Sequence, residues 1–367
     1  MLFKTLILLL CLFTLTNCAS KNYIKLEKSN FSKLDNWKDD KHEKALKAFA
    51  KSCSSNKKII SAQIFDEVPK SVIKNEWNKI CKSAKDYKYT RKKARKFFED
   101  NFVPYLVQGK KGQRGLFTGY YEVELEGSVV KTNKYRHPVY ADSPKINTKL
   151  PRSKIEKGAL NNKKLEIAYV ADKAGLFFMH IQGSGKIRIS SESYIKLGYS
   201  GQNGYSYFPI GNYLTKNNLI DKDTASAESI IKWLNKNPHL AADVMNLNES
   251  YLFFKKRKEH NPVGAMGIEV TPMRSLAVDR KFIPLGMPLW LETSYPRENK
   301  KAPLKPFHRT MIAQDVGGAI KGAVRGDIFF GSTKKAARSA WYMANMGRYF
   351  ILVPKGIAKH ICLEKKL

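Results

Sequence analysis

At Leu116 the spacing of apolar residues along the chain changes from near 3.6 residues to about 2, the periods of a helix face and a strand face. Upstream, His42 to Ser52, Pro69 to Ala84 and Thr90 to Phe102 repeat apolar residues every three or four positions and read as helices. Downstream, Gly115 to Glu126, Leu165 to Ala171, Leu176 to Ile189 and Lys196 to Tyr199 read as strands between Gly, Asn, Asp and Ser punctuation. Helices return in Ala225 to Asn235 and Leu240 to Leu247, and the aromatic segment Tyr251 to Phe254 leads out of the module. The last third holds short strands at Ile268 to Val270, Ser275 to Val278, Leu289 to Glu292, Thr310 to Gln314 and Asp327 to Phe330, with a closing strand at Tyr349 to Val353. One helix interrupts them: Ser332 is its expected N-cap, Ala336, Ala337, Ala340, Trp341 and Ala344 its buried stripe, and Gly347 its end. A chain of 367 residues exceeds the usual size of one domain. Two domains, or one interrupted by another, are expected, both mainly β with helical additions.

The apolar run Leu6 to Leu15 behind Lys4 has the length and flank of a signal-peptide core and is too short to span a bilayer. Export is therefore expected, with residues 1–17 as the signal peptide. Leu15-Thr16-Asn17-Cys18 resembles a bacterial lipobox, with Asn17 standing where a small residue is usual. That resemblance implies a lipid on Cys18, and Ala19 in place of the aspartate that retains such proteins at the inner membrane implies an outer-membrane lipoprotein facing the periplasm. Residues 18–41, polar and lysine-rich without a period, read as a tether between lipid and domain. In an exported chain Cys53 and Cys81, which flank expected helices, either pair or remain thiols beside Cys362.

The balance of 66 basic against 32 acidic residues, a formal charge of +34, would ordinarily suggest nucleic acid. Export argues against nucleic acid, and no arginine–aromatic or RNA motif accompanies the charge. Two readings stay open: attraction to the peptide carboxylates of a peptidoglycan sheet and to an anionic membrane surface, or lysine dispersed over every solvated face.

Several chemistries are disfavoured by spacing. Gln182-Gly183-Ser184-Gly185 runs into the strand-like Lys186 to Ser190 instead of a helix, and Gly317 to Gly322 lacks Walker spacing, so neither is a phosphate loop. His42, His137, His180, His239, His260, His308 and His360 are scattered without ligand spacing, and neither metal nor cofactor is expected. Ser184 sits in an expected β-turn and not at a strand-to-helix elbow, unlike a serine hydrolase nucleophile. What remains is a set of acids in an acid-poor chain: Asp279 ends Ser275 to Val278, Asp315 ends Met311 to Gln314 ahead of two glycines, and Asp327 opens a strand after a glycine. An acid at a strand end beside glycine can project into a cleft whose apolar walls keep it protonated. Taken singly, each is also what a turn or cap requires.

Phe117-Thr118-Gly119-Tyr120-Tyr121-Glu122, Phe178 to Gly185 and Tyr199 to Gly204 resemble successive signatures of the membrane-bound lytic murein transglycosylase A family. Ile210-Gly211, Tyr251 to Phe254, Arg274 to Asp279, Ile283 to Gly286 and Ala313 to Gly322 continue the resemblance, in order, over about residues 115 to 355. It implies a double-psi β-barrel domain, residues 42–115 plus 257–367, with a smaller β-domain, residues 116–256, inserted and a glycan groove between them. A C-terminal three-aspartate segment, residues 264–355, would carry Asp279, Asp315 and Asp327, with Asp327 in the position of the family's catalytic residue. Asp315 is expected to orient the site or bind sugar, Asp279 to serve the turn, and Tyr120, Gln182 and Asn203 to contact the groove. No role is carried onto His180 or Arg325-Gly326.

Ordinary glycosidases use two carboxylates. The implied chemistry needs one, because muramic acid supplies its own nucleophile, the C6 hydroxyl. The same aspartate protonates the leaving N-acetylglucosamine oxygen and then takes the hydroxyl proton, leaving a 1,6-anhydro end on the peptidoglycan glycan strand. Two alternatives remain at this point. A hydrolase using Asp315 or Asp279 to activate water would leave reducing ends, and a non-catalytic wall-binding protein would pellet with sacculi without turnover.

Overall fold

The computed structural model describes residues 24–55, 62–85, 90–295 and 303–361. The expected signal peptide, the lipobox-like segment ending at Cys18, and Cys362 lie outside them. In chain order the first strand, β1 (Ile24–Lys28), precedes helices α1 (His42–Cys53), α2 (Lys70–Ser83) and α3 (Arg91–Asn101), then β2 (Phe102–Gly109) and β3 (Gly115–Tyr120). The middle of the chain gives β4 (Val123–Ser128), β5 (His137–Tyr140), α4 (Arg152–Glu156), β6 (Glu166–Val170), α5 (Lys173–Gln182), β7 (Ser184–Arg188) and β8 (Tyr194–Gln202). Helices α6 (Ile210–Lys216), α7 (Ala227–Lys236) and α8 (Pro238–Asn246) and strand β9 (Leu252–Lys256) complete it. The last third is β10 (Ser275–Val278), β11 (Pro288–Tyr295), β12 (Lys305–Asp315), β13 (Gly326–Phe329), α9 (Lys334–Tyr342), β14 (Ala344–Pro354) and α10 (Lys355–Ala358).

Six strands close on themselves in the order β14, β11, β12, β10, β13, β3 and back to β14. The pairs β10–β12 and β13–β3 are parallel and the other four antiparallel. This is a double-psi β-barrel, and β2 and β1 extend its sheet from the second half of β14. Its interior is filled by Leu289, Leu291, Met311, Ala313, Ile328, Tyr349 and Ile351, all fully buried, each large aliphatic contributing about 1.5–3 kcal/mol on burial. Strands β4 to β9 form a second, six-stranded sheet in the order β5-β6-β4-β7-β8-β9. This smaller β-rich unit leaves the barrel after β3 and returns before β10.

Outside the barrel, Phe49 of α1 and Phe97 and Phe98 of α3 cluster with Phe102 of β2 and Trp290 of β11. Cys53 at the end of α1 is disulfide-bonded to Cys81 of α2, 28 residues on, closing a loop whose cross-link is worth about 3–4 kcal/mol. The stretch read as a tether belongs to the barrel sheet from Ile24 onward. Its Ile24-Lys25-Leu26 alternation pairs with β2, and two apolar anchors in polar surroundings, Leu34 and Trp37, are buried. Asp40 then grips the guanidinium of Arg274 through both carboxylate oxygens, at 2.7 and 2.8 Å. Burial pushes the Asp40 carboxyl up, but Arg274 outweighs it and holds the group below the ordinary carboxylate range.

Four element readings are corrected. Leu176 to Ile189 is not one strand: Lys173–Gln182 is a helix with Asp172 as N-cap, and Gly183, at φ +76°, ends it in the left-handed conformation that glycine tolerates. Ser184 therefore opens β7 instead of sitting in a turn. Gly115 to Glu126 is two strands, split at Tyr121-Glu122 where the chain passes from one sheet to the other. Ile268 to Val270 makes only an isolated bridge, Glu269 to Val263. The C-terminal helix is capped by Thr333, one residue past Ser332, and stops at Tyr342. Ala344 to Gly347, expected in that helix, pair with β3 to close the barrel.

Candidate active site

In the parallel pair β13–β3, Asp327 lies opposite Thr118. Neighbouring positions on paired strands put their side chains on the same face, and the Thr118 hydroxyl donates to Asp327 Oδ1 at 2.7 Å. On the other edge of β13, Asp327 is paired with Ala277 of β10, an apolar wall. Gly119 follows Thr118 because the strand passes close to the next layer: a Cβ there would lie 2.5 Å from the Phe330 ring. The Asp327 carboxyl is partly buried, and loss of solvent raises it to about 6. Thr118 and the charge of Arg325 oppose that rise, and Asp315 adds to it.

Asp315 ends β12 and is differently held. Its Oδ1 accepts the backbone N–H groups of Ala265 (3.0 Å) and Val316 (2.9 Å), and its Oδ2 accepts the Tyr120 hydroxyl (2.9 Å). Burial raises its carboxyl, and the three donors oppose the rise. Tyr120 is buried beside Phe329, and desolvation together with Asp315 and Asp327 holds its phenol far above the ordinary tyrosine range. Two carboxylates and a phenol thus share one end of the barrel, drawn from β12, β13 and β3.

The other residues anticipated from sequence are placed as follows. Asp279 accepts from the N–H groups of Lys281 and Gly322, tying two turns together. The Gln182 side chain accepts the Tyr121 N–H at 3.0 Å, at the junction between the two units. Asn203 is apart from the acids: it is buried in the second unit, donates to the carbonyls of Leu150 and Glu249, and accepts the Tyr251 N–H. All the hydrogen bonds of its side chain are made inside that unit. His180, with no role assigned, is likewise interior, against Arg152 and the Tyr251 ring.

Two neighbours of Asp327 had been given no role from the sequence. Arg325 donates to the Thr118 hydroxyl at 2.9 Å and to the carbonyls of Leu116 and Gly326. Tyr207, on the loop between β8 and α6, is 37% exposed, and its phenol is raised by burial and by the Asp327 charge, so the second unit reaches the acid. A basic residue two positions before a strand-end acid was the one available signal for Arg325; Tyr207 had none, because its proximity depends on how the units meet. A surface hollow of about 650 Å³ beside Lys28, Gln108 and Arg348 includes none of these groups.

Fold and site define a double-psi β-barrel protein with one carboxyl raised by burial beside a second acid held by three donors. Residues 116–255 match the model of the MltA specific insert domain, and residues 274–353 that of the 3D domain. A membrane-bound lytic murein transglycosylase A of Vibrio cholerae is 31% identical over 252 residues, 67% of this chain and 67% of that protein. The protein of the same name from Escherichia coli K12 is 32% identical over 240 residues, 64% of this chain and 65% of that protein. The crystal structure of a membrane-bound lytic murein transglycosylase from Agrobacterium tumefaciens superposes with a TM-score of 0.80 at 28% identity, covering 92% of this chain and 100% of that one. The chain belongs to the membrane-bound lytic murein transglycosylase A family.

Proposed function

We propose that this murein-cleaving enzyme cuts the β-1,4 bond between N-acetylmuramic acid and N-acetylglucosamine by a lytic, water-free route in which Asp327 is both acid and base. The observation that carries the reading is the difference between the two acids. Asp327 has a carboxyl raised to about 6 and one oxygen, Oδ1, held by Thr118, so it retains a proton at mildly acidic pH and has an oxygen from which to give it. Asp315 accepts three hydrogen bonds, which suits a group that fixes the site and poorly suits a base for water. The muramic C6 hydroxyl then returns a proton to the Asp327 carboxylate as it attacks C1, and the glycan ends in a 1,6-anhydro ring. Tyr207, exposed beside the acid, offers an aromatic face to a sugar ring.

The domain division follows the same reading: residues 42–115 with 257–367 as the catalytic barrel domain and 116–256 as the inserted β-domain, the glycan strand lying between them. The ordered stretch from Ile24 adds to the first of these. Mass spectrometry of muropeptides released from purified sacculi tests the chemistry. Anhydro-muramic ends are expected, and reducing ends would transfer the reading to a hydrolase.

The signal-peptide core and lipobox support placement in the cell envelope, as an outer-membrane lipoprotein facing the periplasm and held by lipid on Cys18. Cys18→Ser should move the protein from the membrane fraction to the soluble periplasm. Unchanged membrane association, with the signal peptide still cleaved, would place the anchor elsewhere.

A further inference from the structure

Arg325 is not a surface cation. Its guanidinium is pinned across two strands, donating to the Leu116 carbonyl of β3 at 3.2 Å, to the Gly326 carbonyl at 2.5 Å and to the Thr118 hydroxyl at 2.9 Å. An arginine can only donate, and a threonine hydroxyl has one hydrogen to give. With Arg325 donating to its oxygen, the Thr118 hydrogen is directed away from the guanidinium, and Asp327 Oδ1 stands at 2.7 Å to receive it.

We infer that Arg325 acts through Thr118 as a positioning residue: the relay keeps Asp327 Oδ1 an acceptor, so that the catalytic proton resides on Oδ2. A proton on Oδ1 would require the Thr118 hydroxyl to accept from both Arg325 and Asp327 and would take from its own hydrogen the acceptor at 2.7 Å. The relay rests on the reading of Asp327 as the acid, but it makes a claim about Asp327 that can be measured without turnover. It also stabilises the ionised form that must follow proton donation, through a hydrogen bond and a nearby positive charge. The other groups that face Asp327 are Asp315 from β12, Tyr120 from β3 and Tyr207 from the second unit. Among the described residues, Arg325 is the cation whose charge lowers the Asp327 carboxyl.

The test is a pH titration of the Asp327 carboxyl carbon by NMR in the full chain, assigned by the signal lost in Asp327→Asn. Thr118→Val, which keeps the shape but loses the hydroxyl, should raise the midpoint by about one pH unit, and Thr118→Ser should restore it. Arg325→Met should raise the midpoint in the native background and less in the Thr118→Val background, where only the direct effect of its charge remains to be lost. A midpoint unmoved by Thr118→Val, or an Arg325→Met shift equally large with and without the hydroxyl, would overturn the relay and leave Arg325 a bare charge. The pH profile of product formation is recorded on the same variants. If the NMR midpoint moves as expected while the rate profile does not follow it, the relay stands and the assignment of Asp327 as the acid fails.

Discussion

Asp327 and Asp315 are both strand-end aspartates with a glycine within two positions, and what separates them is the number of donors each meets. That count was not legible in the sequence. The residue that holds Asp327 is Thr118, 209 positions away, and only the β13–β3 register makes them neighbours. The acids were visible as candidates at the ends of apolar strands, but the pattern alone fits a turn or cap equally, and the family resemblance singled them out. The raised carboxyl has a consequence for stability. The folded Asp327 titrates near 6 and the unfolded one near 3.9, so the folded state holds the extra proton between these values, and stability is lost as pH rises from about 4 through about 6. Asp327→Asn removes that penalty. Its melting temperature should match the native protein at pH 4 and exceed it at pH 7.5, by a free energy on the order of 2 kcal/mol. Equal melting temperatures at both values would mean that the carboxyl is not raised.

At the scale of elements, periodicity located the three N-terminal helices to within a residue or two, because each keeps one apolar face against the barrel. It failed at α5, where every residue from Ala174 to His180 is buried. A helix buried on every side shows no period, and only Asp172 and Gly183, its two caps, marked it. It failed again at Ala344, since a run of alanines continues a helical stripe until tertiary pairing with β3 overrides it. The junction of the two units shows a device that no local pattern announces. Glu122, where the chain leaves β3, forms a buried ion pair with Arg257, where it returns from β9, and Lys186 approaches Glu122 at 3.4 Å. Arg257 also donates to the carbonyls of Glu259 and Asn261. Arg257→Ala should therefore destabilise the fold by about 3–5 kcal/mol, the usual cost of stranding a buried charge. Adding Glu122→Gln should recover part of that loss in thermal or urea denaturation. Full stability of the single variant would show that Lys186 alone satisfies Glu122.

For the whole molecule, the barrel supplies both acids and the second unit supplies Tyr207, so the site exists only where the two meet. The two-unit plan was legible, since the change of period at Leu116 and the aromatic exit near Phe254 fall close to the points where the chain changes sheets. The closure of the barrel by β3 and β14, and the stretch from Ile24 to Asp40 that packs upon it, were not: both depend on partners distant in sequence. The account centres on one carboxyl performing both proton transfers, and the direct measurement is the yield of anhydro-muropeptides from sacculi with Asp327→Asn and Asp315→Asn compared. Asn at position 327 keeps the shape and the acceptor for Thr118 but cannot cycle a proton. Asp327→Asn should therefore lose about 100-fold to 10,000-fold in rate while still pelleting with sacculi, and Asp315→Asn should lose less. Near-native formation of anhydro ends by Asp327→Asn, with loss in Asp315→Asn, would contradict the account and exchange the roles of the two acids.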